Sequence, residues 1–429
     1  MNSILRPKDS LSFNIKILRF FGEWSPDKVN HSFTKRFLYL VWSCIILTMS
    51  HLSYYPGEFL NIVYNWNHME EVSGTCLFLF TRIACGFKII AFVFNRKKVV
   101  TLMNILESKQ FQPINTEQKI ILKRMMTEIK FISTVFVTMG VLTVILRAIF
   151  PEIDSTTRGQ RILPLNHWEP MNTTQTPYFQ ISYLYQILIY LSTATNNIAM
   201  DTFISGMMAH GVVQIEMLQN SLETIMDRTL NVSKKENEKN EISIDKRGTK
   251  LDINKVFFNL SSTEKESFNK RLDNNLRKCI SHHEQILRFT KGVESLFNLG
   301  IFVQIAASVI VICMTTFQIS LMSTSSLQFQ STSLYLTCIL IEIFLFCWYG
   351  EGLIVNSLEL PNSLYMSKWY KFELEKSYKK KMILFMMRTL KPITFKPGSF
   401  FILSVQMFTS ILRSSYTYYA VLKQVHNEE

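Results

Sequence analysis

Apolar residues along this 429-residue chain gather into long blocks, and polar, mostly basic stretches separate them. About 20 mostly apolar residues in a helix cross the hydrocarbon core of a bilayer. Seven blocks reach that length, near Phe37–Tyr55, Val72–Phe94, Phe131–Phe150, Ile181–Met208, Phe297–Leu321, Ser333–Ile354 and Ser399–Leu422. The pattern predicts an all-α, polytopic membrane protein with seven transmembrane helices. No small-residue cleavage site follows a short apolar core near the start, so the first span is expected to serve as its own insertion signal.

Charge sets the orientation. Formal net charge is +13, which alone suits either nucleic acid or an anionic membrane surface. The arrangement decides for the bilayer and against nucleic acid. Lys and Arg number 7 before the first span, 8 in the second loop, 15 in the fourth and 9 in the sixth, which is 39 of 46. The first and fifth loops carry none, and the third carries Arg158 and Arg161. Cytoplasmic loops hold such an excess, so the N-terminus is expected inside and the C-terminus outside.

On that topology the chain divides into a cytoplasmic segment 1–36, helices one to four over 37–209, and a large cytoplasmic loop 210–296. Helices five and six follow over 297–354, then an anchor region 355–397, then a last helix and short tail over 398–429. Phe13, Ile17, Phe20 and Phe21 recur at helical spacing with Lys16 and Arg19 between them. They suit a helix at the inner membrane surface or an ordinary solvated pre-helix. Gln214, Leu218, Leu222 and Ile225 continue the fourth span inward; Leu272, Leu276, Ile280, Ile286, Leu287 and Val293 lead into the fifth. Met382, Phe385, Met386 and Leu390 make an apolar face on a basic helix that Pro392 ends. Such faces in water must be buried against one another or against other subunits, which predicts a cytoplasmic assembly platform. Residues 231–266 lack any apolar stripe and are expected to be disordered. The third loop, Pro151 to Pro177, reads as an irregular extracellular cap bearing a sequon at Asn172; the sequons at Asn231 and Asn259 fall on the cytoplasmic side.

No Gly-rich phosphate loop, nucleophile elbow or metal-binding His pair appears, so no catalytic residue, metal site or cofactor is expected. The seven cysteines are scattered without ligand spacing. His282 and His283 are adjacent, point to different helix faces and are expected at the surface or an interface. Arg82, Lys88, Arg147, Asp201, Glu342 and Arg413 fall within or near the spans, where a lone charge costs about 2.5–3.5 kcal/mol or more. Lys88 and Asp201 are expected to snorkel from the inner helix ends. Arg82 and Glu342, nearer the middle, call for a mutual pair or a watery cavity.

The second half of the chain resembles the insect odorant receptors, of the tuning rather than the co-receptor type. The resembling stretches are CISHHEQILRF (Cys279–Phe289), CWYGEGLIVNS (Cys347–Ser357), YMSKWY (Tyr365–Tyr370), LKPITFKPGSFFILSVQMFTSILRSSYTYYAVLKQ (Leu390–Gln424) and, more loosely, FNRKK after the second span. The related gustatory receptors end in Thr-Tyr, five hydrophobic residues, then Gln-Phe. Thr417, Tyr418 and Gln424 fit that ending, but Lys423 interrupts it and Val425 replaces the Phe, which favours the odorant branch. The resemblance implies a ligand-gated, non-selective cation channel in a hetero-tetramer with a shared odorant receptor co-receptor, its last helix lining the pore. A G-protein-coupled receptor would need the opposite topology, and a secondary transporter an internal repeat and broken spans.

Two sets of site residues follow. For a small volatile odorant, a mostly apolar pocket in the outer halves of spans two to six draws on Phe80, Val144, Ala148, Tyr185, Leu188, Tyr335 and Ile339. For the pore, Ser410, Thr417, Val421 and Gln424 share one face of the last span with Arg413 at its edge. The resemblance places the constriction at Val421, an apolar ring that gates by dewetting, with Gln424 offering amide oxygens to permeant cations.

Overall fold

The computed structural model describes residues 6–25, 33–158, 163–165, 167–168, 175–230, 262–372 and 374–428. Asn172 and most of 231–266, the glycosylation and disorder expectations, lie outside them. Among the described residues every regular element is helical. The main helices are α1 (Ser12–Phe20), α2 (Phe33–Leu47), α3 (Tyr55–Tyr64), α4 (Met69–Phe94), α5 (Arg96–Leu106) and α6 (Thr116–Arg158). Then come α7 (Tyr178–Glu223), α8 (Ser262–Leu321), α9 (Leu327–Leu358), α10 (Leu360–Met366), α11 (Lys376–Thr389) and α12 (Val405–Glu428).

Five helical stretches are long and apolar enough to cross a membrane: Phe33–Tyr64, Met69–Phe94, Thr116–Pro151, Thr263–Leu321 and Leu327–Lys371. Helices α7 and α12 do not qualify by composition, for different reasons. From Asn196 to Gly211 every residue of α7 is buried, including Asn196, Asn197, Asp201 and His210. Neighbouring helices shield this central pillar, so its side chains need not be apolar. Helix α12 buries only Ile411 and Ser415 over its first eleven residues and leaves Ser410, Arg413, Ser414 and Thr417 exposed.

Two helices are far longer than a membrane crossing needs. Helix α8 has 60 residues and α6 has 43. At 1.5 Å per residue they run about 90 and about 65 Å, two to three times the hydrocarbon thickness. The extensions bury most of the stripes expected from periodicity, with Leu390 of the α11 stripe 64% exposed. Leu218, Leu222, Ile225, Leu272, Leu276 and Ile286 are fully buried, and Met382 and Phe385 nearly so. The short α5 adds Val99, Leu102, Met103 and Leu106 to the same core, and Phe111 fills the space between His282 and Phe289. On α11 the apolar set is wider than one seam. Ile383, Leu384, Met387 and Leu390 remain more than half exposed in the single chain.

Three expectations change in place. The first apolar block does not stop at Tyr55: a π-helical turn at Thr48–Leu52 leads into α3, whose first turn holds Pro56, a good residue there. The last helix starts at Val405, not Ser399, because Pro397 and the left-handed Gly398 and Ser399 prevent helix before it. There Leu403 folds back, its N–H donating to the Phe395 carbonyl at 3.0 Å. A Cβ on Gly350 would meet the Leu403 carbonyl at 2.7 Å, so this close approach requires glycine. Finally, α1 is not a free solvated segment but packs one face against α7. Asn14 and Leu18 are fully buried against α7, with Asn14 Nδ2 donating to the Ala199 carbonyl and to Thr202 Oγ1, while Phe20 is 63% exposed.

Candidate ligand cavity and pore face

The charged residues expected inside the bundle are paired, but not as the sequence suggested. Lys88, fully buried, does not snorkel. Its ammonium contacts the Asp201 carboxylate, the Glu342 Oε1 at 3.3 Å and the Asn197 Oδ1 at 2.9 Å. Asp201 is also buried, so both snorkelling expectations fail for one reason: helices α4, α7 and α9 bring a cation and two carboxyl groups together in the interior. Mutual pairing removes the need to reach water. Arg82 pairs instead with Glu58 of α3, Nη1 to Oε1 at 3.3 Å, both almost fully buried. Its guanidinium also sits 4.4 Å from the Tyr54 ring centre, on which His167 of the third loop stacks at 4.1 Å. Glu58 was missed because it lies just beyond the block taken as the first span. Arg147 is tied down differently, with Nε donating to the Pro164 carbonyl at 2.8 Å.

Arg82 and Glu342 do not pair with each other, yet both line one internal cavity of about 60 Å³ between α4, α6, α7 and α9. Its wall is aromatic: Phe78, Phe136, Tyr190 and Tyr335. Phe78 meets Tyr190 edge-on at 5.2 Å and Tyr335 at 5.5 Å, so the rings hold one another in place. The Tyr335 hydroxyl bonds the Leu77 carbonyl at 3.0 Å and Thr81 Oγ1 at 2.7 Å. An apolar wall with a few convergent polar groups suits a small, mainly hydrophobic ligand.

Of the seven pocket residues expected from depth, Tyr335 and Ile339 line this cavity. Phe80 packs half-buried against the main core beside the lining Thr81. Val144 is buried in a neighbouring cluster with Tyr54 and Tyr190, one position from the lining Thr143. The Ala148 carbonyl accepts from the Tyr183 hydroxyl, Tyr185 donates to Ser53 Oγ at 2.7 Å, and Leu188 is 56% exposed. Depth along a helix is legible in sequence. Its rotation is not, where the whole segment is apolar, and the lining Thr81 and Thr143 stand one residue, about 100°, from Phe80 and Val144.

On α12, Ser410, Arg413, Thr417, Val421 and Gln424 are all exposed, opposite the buried Ile411 and Ser415. The Ser415 hydroxyl bonds the Val309 carbonyl of α8 at 3.3 Å, which fixes the face that points away.

His282 and His283 are both buried rather than at the surface. His282 Nε2 shares a 2.8 Å hydrogen bond with Gln214 Oε1, and His283 meets the Phe385 ring edge-on at 5.5 Å. Adjacent residues do face different partners here, but both faces are covered by helices. Burial pulls both imidazoles down to about 4. Among the described residues no group of three His, Cys, Asp or Glu side chains is placed to hold a metal ion.

Comparison with known proteins bears directly on this arrangement. The 7tm Odorant receptor family model matches residues 68–416. The chain is 23% identical over 429 residues to odorant receptor Or1 of Anopheles gambiae, covering 98% of this chain and 96% of that one. It is 25% identical to odorant receptor 46a, isoform A, of Drosophila melanogaster, covering 86% of each. The fold is similar to that of the insect olfactory receptor OR5 of Machilis hrabei, solved in complex with eugenol. That match has a TM-score of 0.78 at 16% identity, covering 97% and 98% of the two chains.

Proposed function

The chain belongs to the 7tm odorant receptor family, and from that premise we propose that it is the odorant-binding subunit of a ligand-gated, non-selective cation channel. The observation that carries the reading is the aromatic-walled cavity with a polar end, enclosed by helices of the membrane bundle. A volatile odorant buries its apolar surface against Phe78, Phe136, Tyr190, Tyr335 and Ile339. Binding opens the channel only to the extent that the ligand prefers the open arrangement of these helices.

The N-terminus lies in the cytoplasm and the C-terminus outside, in keeping with the distribution of Lys and Arg. On this topology Asn172 carries glycan. The exposed apolar residues of α11, Ile383, Leu384, Met387 and Leu390, lie on the cytoplasmic side and are covered by neighbouring subunits, of which the odorant receptor co-receptor supplies some. The exposed face of α12 turns toward the shared pore, with Val421 as an apolar constriction between Thr417 and Gln424. The assembled channel resides in the plasma membrane of a sensory neuron.

The test is current. Expressed with the co-receptor in cells without G-protein signalling, the chain gives a fast odorant-evoked cation current, and neither subunit alone gives it. A response that needs G proteins, or that survives without the co-receptor, overturns the reading.

A further inference from the structure

The cavity carries more information than its size. Of its hydroxyls, Thr143 and Thr193 donate to the Met139 and Ser50 carbonyls, Thr81 and Tyr335 divide their two protons between the Leu77 carbonyl and each other, and Tyr190 adds a further hydroxyl to the wall. Arg82 is different. It lines the cavity, it is 1% exposed, and its Nε and Nη1 have no hydrogen-bond acceptor. Nη1 has only the 3.3 Å ionic contact with Glu58, and the ring face of Tyr54 supplies no conventional acceptor. A guanidinium carries five N–H donors, and buried donors are normally satisfied. The other charged group in the lining, Glu342, is already engaged by Lys88.

Charge balance narrows the ligand. Arg82 is neutralised one-to-one by Glu58. The Lys88 cluster sets two carboxyl groups against one ammonium. Arg147 lies 5.8 Å from the Phe78 ring centre and is absent from the cavity lining. The lining therefore offers a donor to an oxygen but no uncompensated cation to a carboxylate, and the Glu342 side chain repels one.

The geometry points to Arg82 as a specificity-determining residue that selects neutral, mainly apolar volatiles bearing a hydrogen-bond acceptor oxygen, the chemistry of ketones, aldehydes and esters. This rests on the odorant-receptor reading above and names the ligand class for that cavity. Tyr54 and Glu58 act as positioning residues, holding the guanidinium from behind.

The experiment uses the full chain with the co-receptor and a panel of paired volatiles of six to ten carbons. Each ketone is matched with the hydrocarbon in which CH2 replaces the carbonyl oxygen, acetophenone with α-methylstyrene for example, and with the corresponding carboxylate. Currents are scaled to those evoked by a co-receptor agonist, and surface labelling reports delivery. In the wild type the ketone is more potent than its hydrocarbon partner by about tenfold to a hundredfold, the span expected of one hydrogen bond to a charged group, and carboxylates are inactive. In E58Q/R82M, which removes both charges together so that neither is left buried alone, that ratio collapses to below threefold. R82K keeps the ion pair and displaces the donor, so it gives an intermediate ratio and covers the case in which the double variant fails to reach the surface. Hydrocarbons as potent as their ketones, carboxylates or amines as the active class, or a ratio unchanged in both variants would overturn the proposal. Silence to every volatile while the co-receptor agonist still opens the channel would instead refute the odorant-receptor reading itself.

Discussion

In the helical extensions beyond the apolar spans, Leu218, Phe268, Leu272, Leu276, Ile286 and Phe289 are each fully buried, and the helices that carry them meet largely through apolar side chains. In the membrane half, among α4, α6, α7 and α9, equally buried positions hold Arg82, Lys88, Asp201 and Glu342, and Arg82 and Glu342 line a void. One region is a contiguous apolar core. The other keeps costly groups apart from water and leaves space among them. The difference lies in what each region can do. An apolar core specifies one arrangement of helices, whereas paired charges beside a cavity leave polar groups with capacity to bond a ligand.

The largest expected effect breaks the membrane half. Lys88→Met strands the Asp201 and Glu342 carboxyl groups in the interior, and losing one partner of a buried pair costs about 3–5 kcal/mol. Thermal unfolding of the solubilised protein and surface delivery report it. Adding Asp201→Asn and Glu342→Gln to Lys88→Met is expected to recover much of the loss. If the single variant is as stable as the wild type, the cluster is not an electrostatic clamp.

Next come the helical extensions. Leu218→Ala removes a fully buried side chain with no polar partner and costs about 2–5 kcal/mol, the usual range for such cavities. The contrast predicts that odorant rank order does not change among the channels that still reach the surface. A changed rank order would blur the division between the two halves.

Tyr335→Phe sharpens the contrast from the other side. It removes a hydroxyl that bonds Leu77 and Thr81, at a cost of about 1 kcal/mol. Its stability effect is small, while relative odorant potencies shift severalfold in dose–response currents. Unaltered tuning would place the ligand elsewhere.

The smallest effect near neutral pH concerns His282 and His283. Burial lowers both to about 4, from an ordinary 6.5. The unfolded chain therefore takes up protons first as pH falls, so this contribution to stability is complete above pH 6.5. It is lost progressively as pH falls from 6.5 toward about 4. Melting temperatures of the solubilised protein across pH 7.5 to 4.5 should show this decline, with a shallower slope in H282Q/H283Q.

Legibility in the sequence follows the same division. The stripes of the helical extensions are readable because Leu272, Leu276 and Ile286 alternate with charged residues at helical spacing, and the contrast marks the buried face. Helices α4 and α6 carry no such contrast where they are apolar on every side. Thr81 and Thr143 thus line the cavity, where depth alone pointed to their neighbours Phe80 and Val144. The charges at 82, 88, 201 and 342 stood out at once, but partners separated by up to 254 positions are fixed by packing, not by any local pattern. The segment before α12 was read as helix because its apolar run is continuous; Gly398 and Ser399 break it through backbone conformation, which hydropathy does not register.

The central claim is that the cavity between α4, α6, α7 and α9 is where an odorant acts to open the channel. Ala194 lines that cavity, and Ala194→Phe fills it. The decisive quantity is the ratio of odorant-evoked to co-receptor-agonist current in paired recordings from wild-type and variant complexes. The account predicts that the ratio falls at least tenfold (roughly 1.4 kcal/mol of lost ligand binding or more). An odorant dose–response curve superimposable on the wild type would show that the ligand acts elsewhere.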